Sequence, residues 1–118
     1  MKTIGIIGGM SWESTVTYYE LINKDKLVDA GLEVALPESK DMEFVNDVIF
    51  NELCLGKVLD SSRDEYKRII EDMKEKGAEG VILGCTEIGM LIKDEDSALP
   101  TYDTTIIHAT AAADLALC

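Results

Sequence analysis

The sequence predicts an α/β protein with a single four-stranded, mostly parallel sheet and helices on both faces. Short apolar runs alternate with longer segments whose apolar residues recur every three or four positions, which are the periodicities of strands and helices. Glycine, proline or a helix-capping residue stands at most of the junctions between these segments. The chain has 118 residues, of which 47% are hydrophobic. This length predicts one domain, residues 1–118, with enough apolar surface for a core.

Four segments have the pattern of strands. They are residues 3–8, residues 32–36 (ended by Pro37), residues 80–83 and residues 99–102. Right-handed crossovers and a reversal of direction around the first strand give the predicted order 2-1-3-4. The first and third strands are then neighbours, and their carboxyl ends border the crevice where such sheets bind ligands.

Helices are predicted between the strands and after the last one. The predicted ranges are 12–30 (closed by Gly31), 41–55, 62–77, 86–92 and 105–117. Ser62 and Glu65 have the spacing of a capping box, and Gly77 is the expected end of that helix. Its predicted buried face consists of Tyr66, Ile69, Ile70 and Met73. Asp103 or Thr104 is the expected N-cap of the last helix.

The charge and residue counts exclude several classes of function. A formal net charge of −12 repels phosphate backbones, so nucleic-acid binding is not expected. No apolar run approaches the roughly 20 residues of a membrane span, and the N-terminus lacks the pattern of a signal peptide. We therefore expect a cytoplasmic protein without a membrane partner. Three cysteines without CxxC spacing and one histidine predict neither a disulfide scaffold nor a metal site.

A glycine-rich turn follows the first strand. Gly5, Gly8 and Gly9 do not have the G-x-G-x-x-G spacing, and the P-loop spacing is also absent. A nucleotide cofactor is therefore not expected. The same glycines can bring backbone N–H groups close to a carboxylate.

Cys85 is the candidate reactive residue. It follows the apolar run 80–83 and precedes Thr86 and Glu87, which begin a helical segment. This pattern predicts a thiol at the carboxyl end of a buried strand, beside a helix N-terminus whose partial positive charge favours the thiolate. The alternative is a buried cysteine that acts as a small hydrophobic residue.

Four other residues have simpler interpretations. Cys54 lies among apolar neighbours in a predicted helix and is interpreted as a core residue, while Cys118 is an exposed chain end. His108, in the first turn of the last helix, is either a structural hydrogen-bonding residue or a site residue. Lys57 could hold a substrate carboxylate, although a solvated loop lysine is the simpler interpretation.

Two long motifs in the right order resemble the aspartate/glutamate racemase family, whose members racemise amino acids without a cofactor. One is IIGGMSWEST at residues 6–15; the other is GVILGCTEI at residues 80–88, followed by YDTTIIHA at residues 102–109. The segment ELCLG at residues 52–56 fits the same pattern. The resemblance covers nearly the whole chain. It implies an isomerase that acts on a small amino acid, aspartate or glutamate, and that needs no cofactor and no metal.

The resemblance also implies roles for four residues. Cys85 matches the later of two family cysteines, which remove and return the α-proton from opposite faces of the substrate. Met10, Ser11 and Thr86 match positions that line the substrate.

Proteins of the family are about twice as long as this chain and consist of two similar α/β halves with the active site between them. Residues 1–23 resemble the opening strand, loop and helix of the family, and residues 24–118 resemble its later half. Nothing in this sequence matches the earlier family cysteine, which lies in a Cys-Asn-Thr motif.

Racemisation needs an acid and a base on opposite sides of one carbon, and one thiol cannot supply both. One hypothesis is a homodimer in which Cys85 of two chains meets one substrate across a twofold axis. The other is a catalytically inactive domain with at most weak affinity for a carboxylate. A thiol hydrolase that uses Cys85 and His108 is a weaker alternative, because no residue is apparent that would orient the histidine.

Overall fold

The computed structural model describes residues 2–7 and 29–118. Met10, Ser11 and residues 12–28 of the first predicted helix lie outside the described residues. Residues 29–31 form a turn in which Gly31 has φ +80°, the left-handed conformation that glycine adopts most readily.

Four parallel strands form one sheet in the order β2-β1-β3-β4. The strands are β1 (Lys2–Ile7), β2 (Leu32–Ala35), β3 (Ala78–Leu83) and β4 (Thr101–Asp103). The predicted order is confirmed, and the sheet is parallel throughout. β4 begins two residues later than predicted. Leu99 is buried in the core, and the first hydrogen bond to β3 is made at Pro100, whose carbonyl accepts from the Val81 N–H at 2.9 Å.

Helices fill the connections after β2 and β3 and follow β4. They are α1 (Ser39–Asn51), α2 (Asp60–Glu75), α3 (Ile88–Leu91) and α4 (Thr104–Leu117), with short 3₁₀ turns at Leu53–Leu55 and Asp94–Asp96. None of the helices in residues 29–118 combines the length and apolar character that crossing a bilayer requires.

The helix predicted over residues 41–55 ends earlier than expected. α1 stops at Asn51, and the chain continues as a 3₁₀ turn closed by Gly56 at φ +76°. In this tighter turn Leu53 takes the buried position and Cys54 faces outward. The interpretation of Cys54 as a core residue is therefore wrong.

The capping box predicted at Ser62 and Glu65 is also absent. α2 begins at Asp60, with Leu59 as its N-cap, so Ser62 lies inside the first turn. Ser62 is buried, and its hydroxyl donates to Glu52 Oε1 at 2.6 Å. A buried hydroxyl needs a partner, and the carboxylate at the end of α1 provides it.

The core lies between the sheet and the helices α1 and α2. Tyr66 is fully buried, and its hydroxyl donates to the Val45 carbonyl at 2.8 Å. The Met73 side chain occupies the space where a Cβ on Gly5 would lie, so α2 approaches β1 closely. The predicted buried face of α2 is confirmed, as is its end before Gly77, which has φ +100°.

Two arginines of α2 donate hydrogen bonds to neighbouring elements of the fold. Arg68 donates to Asp41 of α1 at 2.6 Å, and this bond is the main reason why the pKa of Arg68 rises. Arg63 donates through Nε to the Leu91 carbonyl at 2.9 Å, at the end of α3. The second bond holds α3, and the loop before it, against the core.

Candidate active site

Cys85 lies at the carboxyl edge of the sheet, in the loop between β3 and α3. The Gly84 N–H donates to the Ile7 carbonyl at 2.8 Å, so this loop begins beside the end of β1. Cys85 itself is only 6% exposed. The predicted adjacency of the first and third strands at this edge is confirmed up to Ile7, and the glycine-rich turn that follows lies outside the described residues.

The Cys85 thiol is hydrogen-bonded to a carboxylate. Its Sγ donates to Glu87 Oε2 at 2.8 Å, and the Thr86 hydroxyl donates to the same oxygen at 2.7 Å. Burial, followed by this bond to Glu87, raises the pKa of Cys85 from its ordinary value of 9.0 to about 11. The two donated hydrogen bonds, that from Cys85 first, lower the pKa of Glu87.

The backbone N–H of Glu87, the N-cap residue of α3, lowers the pKa of Cys85 as expected for a helix N-terminus, but this effect is outweighed. α3 has four residues and begins only at Ile88, so few of its peptide dipoles add up near the sulfur. Burial and the carboxylate outweigh that small contribution. The free protein holds Cys85 as a neutral thiol.

A cavity of about 530 Å³ opens beside this loop. Its lining comes from the residues on either side of Cys85 and from the first turns of α4: Gly84, Thr86, Thr104, Thr105, His108 and Ala109. Hydroxyl groups and an imidazole can hydrogen-bond to a carboxylate. The cavity therefore offers polar partners to a small anionic ligand within reach of the thiol loop.

The first turn of α4 is fixed in place by its cap. Asp103 Oδ1 accepts from the Thr105 N–H at 2.9 Å, which confirms the predicted N-cap. The other carboxylate oxygen of Asp103 fills the space where a Cβ on Gly89 of α3 would lie. Thr104 donates to the Leu83 carbonyl at 3.1 Å. These contacts bring the cavity-lining turn of α4 to the end of β3.

The structure brings together some of the residues singled out from the sequence. Thr86 and His108 both line the cavity, and Cys85 lies in the same loop as Thr86. Lys57 is an exposed residue behind the 3₁₀ turn at Leu53–Leu55 and is not part of the cavity lining. Cys118 is exposed at the end of α4, as expected.

Sequence reasoning did not assign a site role to Glu87 or to the threonines at the start of α4. The Cys-x-Glu spacing in a short loop was the available signal for Glu87, because a side chain two positions away can reach back to the thiol. The approach of Thr104 and Thr105 to Thr86 depends on the pairing of β3 with β4. Across residues 2–7 and 29–118, no group of three or more His, Cys, Asp or Glu side chains is arranged to hold a metal ion.

The sequence profile of the Asp/Glu/Hydantoin racemase family matches residues 23–112. The chain belongs to this family. The Cys85 loop and the cavity beside it thus lie within a racemase-family fold.

Two solved structures are similar to this racemase-family chain. A protein from Yersinia pestis, described as a candidate Asp/Glu racemase, is 40% identical and superposes with a TM-score of 0.82 over 100% of this chain and 50% of its own. An aspartate racemase homologue from Pyrococcus horikoshii is 29% identical, with a TM-score of 0.81 over 99% of this chain and 49% of its own. The chain spans about half the length of these structures.

Proposed function

We propose that this chain is a cofactor-independent racemase domain for a small acidic amino acid, aspartate or glutamate, with Cys85 as an acid/base group at the α-carbon. The observation that carries the proposal is a buried thiol in the loop that borders a cavity lined by threonine and histidine side chains, at the carboxyl edge of a racemase-family sheet. Thiols suit this reaction because they exchange protons at carbon without a metal or a cofactor.

The cavity supports the binding of a substrate carboxylate. Thr105 and His108 are three residues apart on α4 and therefore share one face of the helix, and Thr86 lines the same cavity. We infer that these groups orient the substrate and stabilise the negative charge that develops as the α-proton leaves. Met10 and Ser11 are proposed to complete the substrate contacts, as the family resemblance implies.

Inversion at the α-carbon requires a second acid/base group, and we propose that a second copy of the chain supplies it. The family structures that match are about twice as long, so a homodimer would have the mass of one such chain. In a twofold dimer formed through the crevice, each copy presents Cys85 from one side of the substrate. The two chains each carry a formal net charge of −12, so added salt is expected to strengthen this association.

Deuterium exchange tests the proposed chemistry. The purified chain is incubated in D₂O with L-aspartate or, separately, L-glutamate. NMR follows the α-proton, and polarimetry follows the loss of optical rotation. Both signals should decay, and Cys85→Ser should abolish the decay. Cys118→Ser is the matched control, because Cys118 is exposed and lies outside the cavity lining. Full activity in Cys85→Ser would refute the proposal.

A mixing experiment tests whether two chains share one site. Wild-type and Cys85→Ser chains are mixed in equal amounts under conditions that allow subunit exchange. If one active site needs two thiols, activity falls to about one quarter of that of the same total amount of wild-type chain, since only about one quarter of the dimers carry both thiols. A fall to about one half would show that each chain works alone.

The second candidate function is a folded racemase-family domain without turnover. Two observations favour it: the chain spans half the length of its structural relatives, and its thiol is held in the neutral form. The raised pKa of Cys85 leaves little thiolate at neutral pH. A light-scattering mass of one chain, together with unchanged α-proton signals in D₂O, would favour this candidate over a shared-site dimer.

A further inference from the structure

The carboxylate of Glu87 lies where it can control the proton on Cys85. One oxygen, Oε2, accepts from both the Cys85 thiol at 2.8 Å and the Thr86 hydroxyl at 2.7 Å. The thiol is 6% exposed, so little water is available to replace this partner. A hydrogen bond from sulfur to an anionic oxygen exists only while the sulfur keeps its proton.

The other ionisable groups near the sulfur act in the same direction. Within the described residues, the groups that interact electrostatically with Cys85 are Glu87 in its own loop, Cys54 in the 3₁₀ turn and Tyr66 on α2. His108 of α4 lines the adjoining cavity. An anion or a phenol does not stabilise a thiolate, whereas a neighbouring cation would. Glu87 is the group in direct contact.

We propose that Glu87 is a positioning residue that holds the Cys85 thiol in its protonated form until a cationic group of the ligand pairs with the carboxylate. The inference deepens the proposed function and rests on it, because the ligand's cation is the α-ammonium of an amino acid. An ammonium paired with Glu87 cancels the negative charge that opposes ionisation of the sulfur. The free protein therefore keeps a proton donor, and the thiolate forms only beside the substrate.

The proton balance of the step is simple. The Cys85 thiol of the copy whose Glu87 pairs with the ammonium first loses its proton to solvent. The resulting thiolate takes the α-proton, and the electron pair of the broken C–H bond stays on the substrate carbon. The thiol of the second copy then gives its proton to that carbon from the opposite face, and its S–H electron pair stays on sulfur. No oxidant or reductant is consumed, and one thiol and one thiolate remain at the end.

The ionisation of Cys85 can be measured without any racemase activity. The rate of alkylation by iodoacetamide is followed against pH, and peptide mass spectrometry measures Cys85 and Cys118 separately in the same molecule. Because Cys118 is exposed at the end of α4, it serves as the internal reference. In Glu87→Gln, the midpoint for Cys85 should fall by about one pH unit, with about tenfold faster alkylation near pH 8.

Control variants separate charge from structure. Glu79→Gln removes the same charge at the opposite end of β3 from Cys85 and should leave the midpoint unchanged. Glu87→Asp keeps the charge and should retain a midpoint above that of Glu87→Gln. A loosened loop would raise the Cys85 rate at every pH without moving the midpoint. An unchanged midpoint in Glu87→Gln overturns the proposal.

The second arm tests the role of the ligand's cation. L-Aspartate should lower the Cys85 midpoint in the wild type but not in Glu87→Gln, whereas succinate, which carries both carboxylates and no ammonium, should not lower it. If Glu87→Gln lowers the midpoint but L-aspartate does not, the proposal that the ammonium releases the Cys85 proton is overturned. Glu87 then remains the group that holds the proton. If the chain shows these midpoints but has no racemase activity, the proposed turnover is refuted and the proposed role of Glu87 is not.

Discussion

Most apolar residues of the helix pair α1 and α2 are buried, but those of the terminal helix α4 are exposed. Tyr66, Ile69 and Ile70 of α2 are at most 1% exposed, whereas Ile106 and Leu115 of α4 are 64% and 78% exposed. The first region stabilises the domain through close packing. The terminal helix α4 contributes its polar first turn to the cavity lining, and its large apolar side chains are exposed. Apolar composition alone therefore does not determine burial; the position of a helix relative to the sheet does.

Two isoleucines, one in each region, should differ most when they are truncated to alanine. Ile70→Ala should lower the free energy of unfolding by about 2–5 kcal/mol, because it removes buried methyl groups and leaves a cavity. Ile106→Ala, the same chemical change at an exposed position, should change it by less than about 0.5 kcal/mol. Urea unfolding at a protein concentration low enough for a single chain measures both. Equal losses of stability would show that the position of a helix relative to the sheet does not decide what its apolar side chains contribute.

Alkaline pH should destabilise the packed region through Cys85. Its thiol has a raised pKa in the folded chain, so stability is fully present below the ordinary value of 9.0 and is lost as pH rises toward about 11. The loss attributable to this group is on the order of 3 kcal/mol, from two pKa units at about 1.4 kcal/mol each. Unfolding of wild type and Cys85→Ser is compared at about pH 8 and about pH 11.

The serine variant should lose less stability over that interval. Tyr66, whose pKa is raised by burial first and in part by Cys85, is present in both proteins, so most of its contribution cancels in the difference. If the two proteins lose equal stability, Cys85 does not have the raised pKa.

The cap of α4 should contribute a smaller amount. Asp103→Ala removes the acceptor for the Thr105 N–H and should cost about 1 kcal/mol, within a range of about 0.5–2. It should also weaken binding of L-aspartate, because the capped turn lines the cavity. Asp114→Ala, in the last turn of the same helix, is the control and should have little effect on either quantity. Calorimetric titration and thermal unfolding measure the two effects.

The smallest effect is expected at an exposed ion pair. Lys76 lies 3.4 Å from Glu38, and both side chains are at least half exposed. Solvent screening makes such a pair worth little, so Lys76→Ala should change the free energy of unfolding by less than about 0.5 kcal/mol. A loss comparable with that of Ile70→Ala would show that surface charge contributes as much as the core.

Local periodicity and end signals were sufficient to predict most of the fold. The apolar spacing of α2 identified its buried face, Gly77 its end and Asp103 the start of α4. The strand order followed from the handedness of crossovers and was confirmed. These features depend on neighbours in the sequence or on chirality, which a sequence contains in full. The division of the chain at residue 23 and the roles of Met10 and Ser11 stay predictions.

Other features depended on residues that are distant in the sequence. Cys54 is exposed because the chain leaves α1 as a 3₁₀ turn around Leu53, and Ser62 bonds to Glu52 instead of capping its helix. Local propensity favoured a helix and a capping box at these positions. Contact between the end of α1 and the start of α2 outweighed it, since a buried polar group must find a partner.

Strand periodicity and crossover handedness act through the backbone, so the sequence alone predicted the sheet, its strand order and a thiol at the carboxyl edge. The protonation of that thiol depends instead on three-dimensional packing. Its proton is held by burial and by the Glu87 carboxylate. Both effects depend on how closely packed atoms exclude water, and a linear pattern of residues does not contain that information.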